Sequence, residues 1–183
     1  MPSQILFIQG AGPQVHDQWD AKLVDSLRAE LGDDYVVTYP RMPNEADPRY
    51  VSWKAALRAE FDRLDDGAIL IGHSVGATVL LHTLTDDAPP FKPGALILIA
   101  PPFIGEGGWD SGDIRPREQF DLPEGLSVRL YHGTADATVP FAHSTLYAKA
   151  IAGVQVIPLP GRDHQLGNDL SEVAHGIRAR QLA

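Results

Sequence analysis

The chain has 183 residues, no cysteine and a formal net charge of −9, from 15 basic and 24 acidic residues. An apolar fraction of 44% and a charged fraction of 21% are typical of a soluble globular protein, and the length predicts one domain over residues 1–183. Without cysteine there is no disulfide, thiolate catalysis or Cys-ligated zinc, and without a basic cluster we expect neither a nucleic-acid partner nor an anionic membrane surface.

Short apolar runs alternate with amphipathic stretches along the whole chain. The runs cover residues 4–9, 35–39, 68–71, 95–100, 127–132 and 154–159, and each is apolar on both faces. The predicted helices cover residues 17–31, 50–64, 75–84, 141–151 and 170–180. Because a helical crossover joins parallel strands, this alternation predicts an α/β fold with about six mostly parallel strands and helices on both faces.

The first two predicted helices each begin an apolar stripe with a tryptophan. Trp19 is followed at four-residue spacing by Leu23 and Leu27. Trp53 is followed at the same spacing by Leu57. Such a repeat turns one apolar face toward the core, so we expect both indole rings to be core residues rather than substrate contacts.

The loop after the first predicted strand, Gln9-Gly10-Ala11-Gly12, is rich in glycine. It half-matches the glycine fingerprint of dinucleotide-binding folds, but a valine replaces the third glycine and no acidic residue ends the second strand. No nicotinamide or flavin cofactor is therefore expected. The small residues instead let backbone approach a substrate, which makes Gly10 and Gly12 candidate contacts. His16 is either a further substrate contact or a solvated loop residue.

Residues 72–76 read Gly-His-Ser-Val-Gly between an apolar run and a helix-compatible stretch. In that context the pattern predicts a nucleophile elbow, a sharp turn that lifts a serine above the sheet. The two glycines leave room where the strand and the helix crowd each other. Ser74 is therefore the predicted nucleophile, and the alternative is a serine that only caps the following helix.

The connection over residues 101–125 is long and holds five glycines and four prolines. It leaves the carboxyl end of the fourth predicted strand, on the edge where open α/β sheets bind ligands. Long irregular loops in compact domains are usually binding loops or lids, and Phe103 and Trp109 are its candidates for lining an acyl pocket. A plain surface excursion is the alternative.

An acid and a histidine stand at two further strand ends. Asp136 follows the fifth predicted strand and His164 follows the sixth. The carboxyl ends of parallel strands meet at one edge of a sheet, so both side chains should gather there with Ser74. Asp163 is a rival acid, but neighbours in a tight turn often point apart, and Asp136 is preferred.

The other histidines are weaker candidates for the base. His73 adjoins the predicted nucleophile, and we expect it to pack within the elbow. His132 ends the fifth predicted strand, where a histidine is more often a satisfied core or strand-end residue. His164 therefore remains the predicted base.

A serine hydroxyl becomes a good nucleophile when a base removes its proton. We expect His164 to take the Ser74 proton and return it to the leaving group, while Asp136 stays ionised and orients the imidazole. The oxyanion needs backbone donors. The predicted donors are the N–H of Val75, at a helix N-terminus, and the N–H of Ala11.

The motifs GHSVG, HGTADATVP and GRDH, in this order, resemble the α/β-hydrolase superfamily over essentially the whole chain. The resemblance implies an α/β-hydrolase fold with a minimal cap domain or none, and triad roles for Ser74, Asp136 and His164. The loop after the first predicted strand, which carries the predicted oxyanion donor Ala11, departs from the family's pattern. Many relatives have His-Gly where this chain has Gln9-Gly10.

A narrower resemblance rests on the short length and on the Tyr-Pro-Arg-Met-Pro segment at residues 39–43, followed by Trp53. These features are similar to the small serine hydrolases related to retinoblastoma-binding protein 9. That resemblance implies a serine esterase, and it keeps a second function open: a protein-interaction module with weak or incidental esterase activity.

The expected function is hydrolysis of small carboxylic esters through an acyl-serine intermediate. Thioesters and amides suit the same triad, so these reactions stay open. The expected partner is a small-molecule ester substrate, with no cofactor and no metal, because no His or acidic cluster has ligand spacing. No leader sequence and no run long enough for a membrane span is apparent, so the expected compartment is the cytoplasm.

Overall fold

The computed structural model of the protein describes residues 2–181, which form a six-stranded sheet covered by helices. The strands are β1 (Ser3–Ile8), β2 (Tyr35–Thr38), β3 (Ile69–His73), β4 (Ala95–Ile99), β5 (Ser127–Gly133) and β6 (Gln155–Leu159). Every neighbouring pair is parallel, and the spatial order is β2-β1-β3-β4-β5-β6. The predicted fold class is confirmed. The order changes direction between β1 and β3, and a doubly wound sheet binds ligands at such a point.

Five α-helices cover the sheet: α1 (Ala21–Leu31), α2 (Tyr50–Phe61), α3 (Val75–Asp86), α4 (Ala142–Ala150) and α5 (Ser171–Gln181). Successive strand side chains point to opposite faces and build two separate cores. On one face Leu6 and Leu70 pack with Trp53 of α2. On the other, Phe7 and Ile71 pack with α1 and α5. Among the described helices, none is both long and apolar enough to cross a membrane.

The outermost strands differ from the expectation that every strand is apolar on both faces. In β2 the residues alternate between buried and exposed, and Val36 is half exposed. Only Leu159 of β6 is fully buried. Both strands lie at the ends of the sheet, where helices cover less of the surface than at its centre.

The first helix begins later than its sequence pattern predicts. A turn of π-helix spans Val15–Asp20 and α1 follows it. A π-turn holds more residues per turn than an α-helix, so residues before Asp20 lose the phase of the α1 stripe. Asp20 is fully buried, whereas Trp19 is 50% exposed. The expectation that Trp19 is a core residue is therefore wrong, while Trp53 is fully buried as expected.

The connection over residues 101–125, all of which the structure describes, contains no helix and forms no cap domain. A bridge joins Ile104 to Trp109, and Ile104, Ile114 and Phe120 are buried against the core. The amide of Tyr50 donates to Asp113 Oδ2 at 2.7 Å, which ties the loop to the start of α2.

Candidate active site

Ser74 stands at the strand-to-helix turn between β3 and α3, with φ 51° and ψ −128°. A positive φ at a non-glycine residue is strained, and such strain is typical of functional sites. The flanking glycines make the turn possible. A Cβ on Gly76 would overlap the carbonyl oxygen of Gln9, and a Cβ on Gly72 would lie 2.5 Å from the Cα of Ala77. Larger residues would push α3 away from the sheet.

Asp136 and His164 form the second part of the site. His164 Nδ1 donates to Asp136 Oδ2 at 2.7 Å. The other carboxylate oxygen, Oδ1, accepts the amides of Thr138 and Val139, each at 2.8 Å. Burial raises the pKa of Asp136, but hydrogen bonds from His132, His164 and the Val139 amide outweigh it and lower that pKa well below its usual value. The carboxylate is therefore ionised at neutral pH.

His132 also contacts the acid, which sequence reasoning missed. It is fully buried, and its Nε2 lies 3.1 Å from Asp136 Oδ2 and 2.9 Å from the carbonyl oxygen of Val139. Both partners are acceptors, so Nε2 carries the proton. Nδ1 lies 2.6 Å from Ser144 Oγ. The spacing of four residues between His132 and Asp136 across a strand-end turn was the signal available in the sequence.

Ser74 and His164 line one open cleft of about 450 Å³, hereafter the catalytic cleft. Among the described residues, no hydrogen bond joins Ser74 Oγ to His164 Nε2. Catalytic hydrogen bonds are often long without substrate and tighten in the complex. The cleft is lined by Gly10, Ala11, Val15, Trp19, His73, Ser74, Val75, Trp109, Ala135, Ala137, Thr138, Asp163, His164 and Gln165.

Three predicted substrate contacts lie outside the catalytic cleft. Gly12 has a φ of 139°, and its amide donates to Glu45 O at 2.7 Å. His16 stacks on Tyr39 with ring centroids 4.2 Å apart. Phe103 is buried against Tyr147, at 5.0 Å between ring centroids. Each of the three is held by protein partners, and its contact with substrate stays a prediction.

The loop after β1 presents one unused amide to the catalytic cleft. The amide of Gly10 donates to Asp20 Oδ2 at 2.7 Å, and that of Gly12 is bonded to Glu45. The amide of Ala11, between them, donates to no described residue. The Val75 amide, at the first position of α3, is likewise without an acceptor among the described residues. Both amides are available to an oxyanion.

A buried ion pair connects this loop to the elbow. His73 Nδ1 lies 2.9 Å from Asp20 Oδ2, and His73 Nε2 lies 3.0 Å from the carbonyl oxygen of His164. A carboxylate and a carbonyl only accept, so both ring nitrogens donate and His73 is an imidazolium. Burial lowers the pKa of His73, but the charge and hydrogen bond of Asp20 outweigh it and raise that pKa.

Asp20 is thus a common anchor for three loops. Burial raises its pKa, and His73, the Gly10 amide and Gln165 outweigh that effect and lower it. Gln165 Nε2 donates to Asp20 Oδ1 at 3.1 Å. The ion pair therefore joins the loop after β1 at Gly10, the strand-to-helix turn at His73 and the loop that carries His164. Neither the periodicity nor the motifs of the sequence indicated this role.

The rival acid lies close to the site without contacting the base. Asp163 borders the catalytic cleft, and its Oδ1 accepts the amide of Gly167 at 2.8 Å. The carboxylate that orients His164 is that of Asp136. Among residues 2–181, no group of three or more His, Asp or Glu side chains is placed to hold a metal ion.

Comparisons with known proteins agree with this architecture. The model of the alpha/beta hydrolase family matches residues 5–159. The ydeN gene product of B. subtilis is 17% identical over 99% of this chain and 100% of that one, with a TM-score of 0.72. Mouse alpha/beta hydrolase domain-containing protein 10 is 22% identical over 98% and 90%, with a TM-score of 0.70. The esterase domain of a Rhodothermus marinus protein is 20% identical over 99% and 88%, with a TM-score of 0.64. No curated protein matches the chain.

Proposed function

The chain belongs to the alpha/beta hydrolase family, and from that premise we propose that it is a serine hydrolase of small carboxylic esters. The observation that carries the proposal is the pairing of Asp136 with His164 on the catalytic cleft that Ser74 borders. The similarity to an esterase domain from Rhodothermus marinus agrees with ester chemistry.

In the proposed reaction Ser74 Oγ attacks the ester carbonyl carbon while His164 Nε2 takes the hydroxyl proton. The carbonyl oxygen becomes an oxyanion, which accepts hydrogen bonds from the Ala11 and Val75 amides. His164 returns the proton to the alcohol as the carbon–oxygen bond breaks, which leaves an acyl-serine. Water, deprotonated by His164, then releases the acid and restores Ser74. The ionised Asp136 stabilises the imidazolium in both halves.

The proposal includes the narrower kinship to the small serine hydrolases related to retinoblastoma-binding protein 9. Its support is the Tyr-Pro-Arg-Met-Pro segment at residues 39–43 and Trp53. The segment lies beside the oxyanion loop: the amide of Met42 donates to Gln9 Oε1 at 3.0 Å, and Gln9 Nε2 donates to Glu45 Oε2 at 2.6 Å. Gln9 therefore braces this segment, and the oxyanion donor remains a backbone amide.

Labelling with a fluorophosphonate tests the nucleophile, because these probes react with activated serines. We expect the probe to modify the wild-type protein once, on the peptide that contains Ser74, and to leave Ser74→Ala unmodified. Ser52 lies exposed on α2, so Ser52→Ala is a matched control that should label like the wild type. Equal labelling of Ser74→Ala and the wild type would contradict the proposal. Labelling accompanied by turnover of thioesters or amides, but of no ester, would reassign the substrate class.

A further inference from the structure

A second cavity, of about 190 Å³, adjoins the catalytic cleft and is more enclosed; we call it the side chamber. Val75 and Trp109 border both spaces, so these two side chains form the partition between them. The chamber lies between the start of α2, the first turns of α3 and the long loop. Its other lining residues are Pro48, Tyr50, Thr78, Val79, Pro102, Ile104, Asp110, Ser111, Asp113 and Ile114.

The inner wall of the side chamber presents hydrocarbon. Val79, Ile104 and Ile114 are buried apolar residues. The hydroxyl of Thr78 donates to the carbonyl oxygen of Pro102 at 2.7 Å, so it offers no free donor to a ligand. A polar group placed here would lose its water without gaining a partner, whereas an alkyl chain would gain by leaving water.

The rim of the side chamber is acidic. Asp110 and Asp113 border it, and none of its lining side chains is basic. Asp113 is engaged by the amide of Tyr50 and by Ser111. An acyl group that ends in a carboxylate would meet like charge without a cationic partner, so the lining favours uncharged chains.

The position of His164 indicates that the side chamber holds the acyl part of an ester and not the alcohol. His164 lines the catalytic cleft and not the side chamber. The alcohol oxygen must receive its proton from His164, so the leaving group lies on the cleft side and departs through the more open space. The acyl part stays bound to Ser74 until water arrives, and the space across Val75 is available to hold it.

Resting on the proposed serine hydrolase function, we propose that the side chamber binds the acyl tail of the substrate, an uncharged straight chain of about four to six carbons. The length follows from the volume: at about 30 Å³ per small group, the share of one water in the liquid, the chamber holds about six groups. Trp109 is the specificity-determining partition.

The backbone and ring contacts of Trp109 suit this role. Its amide donates to Phe103 O at 2.8 Å, and its carbonyl accepts the Gly105 amide at 3.1 Å. Its ring packs edge-on against His143, with centroids 5.7 Å apart. His143 Nδ1 in turn accepts the amide of Phe103 at 2.8 Å. The backbone at Trp109 is therefore fixed by hydrogen bonds, and its indole packs against a ring that is itself anchored, while 37% of the residue stays exposed.

A series of nitrophenyl esters from acetate to decanoate tests the proposal through kcat/KM, because the leaving group stays constant while the acyl chain grows. We expect kcat/KM to rise about fourfold per buried methylene to an optimum at butyrate or hexanoate, and to fall at least about tenfold by decanoate. Val79→Phe places a ring in the chamber and should lower the hexanoate-to-acetate ratio at least about tenfold. Val51→Phe, exposed on α2, is the matched control and should keep the wild-type ratio.

Two further variants enlarge the side chamber, whereas Val79→Phe fills it. Ile114→Ala enlarges it from the loop side, so the optimum should move to longer chains. Trp109→Ala removes most of the partition, which widens the opening between the chamber and the catalytic cleft, and should abolish the fall at decanoate. An unaltered length profile in Val79→Phe and Ile114→Ala, with Ser74 still labelled by fluorophosphonate, would overturn the side-chamber assignment and leave the proposed function standing. If the fluorophosphonate does not label Ser74 in the wild type, the proposed function itself is overturned.

Discussion

Asp136 accepts hydrogen bonds at both of its carboxylate oxygens. Two histidine nitrogens approach Oδ2, and two amides donate to Oδ1. Four donors around one carboxylate hold it ionised and leave it a single orientation. His164 is therefore presented to the catalytic cleft by a rigid partner, and the contribution of Asp136 to turnover should be large.

Asp136→Asn should lower kcat for nitrophenyl acetate by about 10³–10⁴-fold, because an amide does not stabilise the imidazolium and can favour the wrong tautomer. KM should change little, since Asp136 does not border the catalytic cleft. Asp163→Asn is the comparison and should cost less than about tenfold, because its carboxylate bonds Gly167 and not His164. A larger loss in Asp163→Asn than in Asp136→Asn would transfer the orienting role to Asp163.

We expect Asp20 to act on the proposed reaction through the groups it contacts, as a positioning residue. Asp20→Asn keeps the size of the side chain but removes the charge that holds the Gly10 amide and His73. A misplaced oxyanion loop weakens transition-state binding, so we expect kcat to fall about 10–100-fold with little change in KM.

The pKa of His73, measured by titration of its ring signal, provides a second readout for Asp20→Asn. This pKa should lie above 6.5 in the wild type and fall below 6.5 in the variant, where burial acts without the carboxylate. Unchanged kcat together with an unchanged His73 titration would refute the positioning role.

The start of the first helix shows where apolar periodicity in the sequence fails to predict which residues are buried. A four-residue repeat indicates a helix face only while the helix remains α, and the π-turn at Val15–Asp20 breaks that condition. No proline or glycine lies within residues 15–20, so the sequence gives no sign of the π-turn. The turn coincides with contacts of the Asp20 carboxylate, which reaches Gly10 in the preceding loop and His73, 53 residues further along the chain. Trp19 consequently moves from the predicted core to the border of the catalytic cleft.

Alanine substitutions at Trp53 and Trp19 test the different burial of the two tryptophans. Trp53→Ala should lower the free energy of unfolding by about 3–5 kcal/mol, because the ring is fully buried in the core. Trp19→Ala should lower it by less than about 1 kcal/mol, because the ring is half exposed, and should instead raise KM for esters with bulky alcohols. Urea unfolding and steady-state kinetics provide the two measurements. Similar stability losses in both variants would contradict the placement of Trp19.

The parallel sheet explains why the core of the candidate site was predictable. Every strand of a parallel sheet ends at the same edge, so strand ends together with the elbow motif at residues 72–76 predict that Ser74, Asp136 and His164 gather there. What the sequence does not contain is which distant loops pack together. That information decides that Asp20 meets His73 and that Phe103 packs against Tyr147. The contact between His132 and Asp136 is local by contrast, because the two residues lie four positions apart on one strand-end turn.

The same buried charges connect the site to the stability of the whole molecule. Asp20 and Asp136 have lowered pKa values, so their stabilising contributions are present above about pH 3.9 and are lost as pH falls below it. His73 has a raised pKa, so its contribution is complete below about pH 6.5 and is lost as pH rises through the folded value. Stability should therefore decline on both the acid and the alkaline side.

The alkaline side can be tested by urea unfolding of the wild type and Asp20→Asn between pH 5 and pH 9. Without the carboxylate, the buried His73 resists protonation, so the variant should be most destabilised near pH 5–6, where the wild-type imidazolium is fully formed. The difference in free energy of unfolding should shrink as pH rises and the wild-type His73 loses its proton. Ser52→Ala, a neutral and exposed residue on α2, is the control and should keep the wild-type pH dependence. A difference that stays constant from pH 5 to pH 9 would contradict the expected loss of the His73 proton within this range.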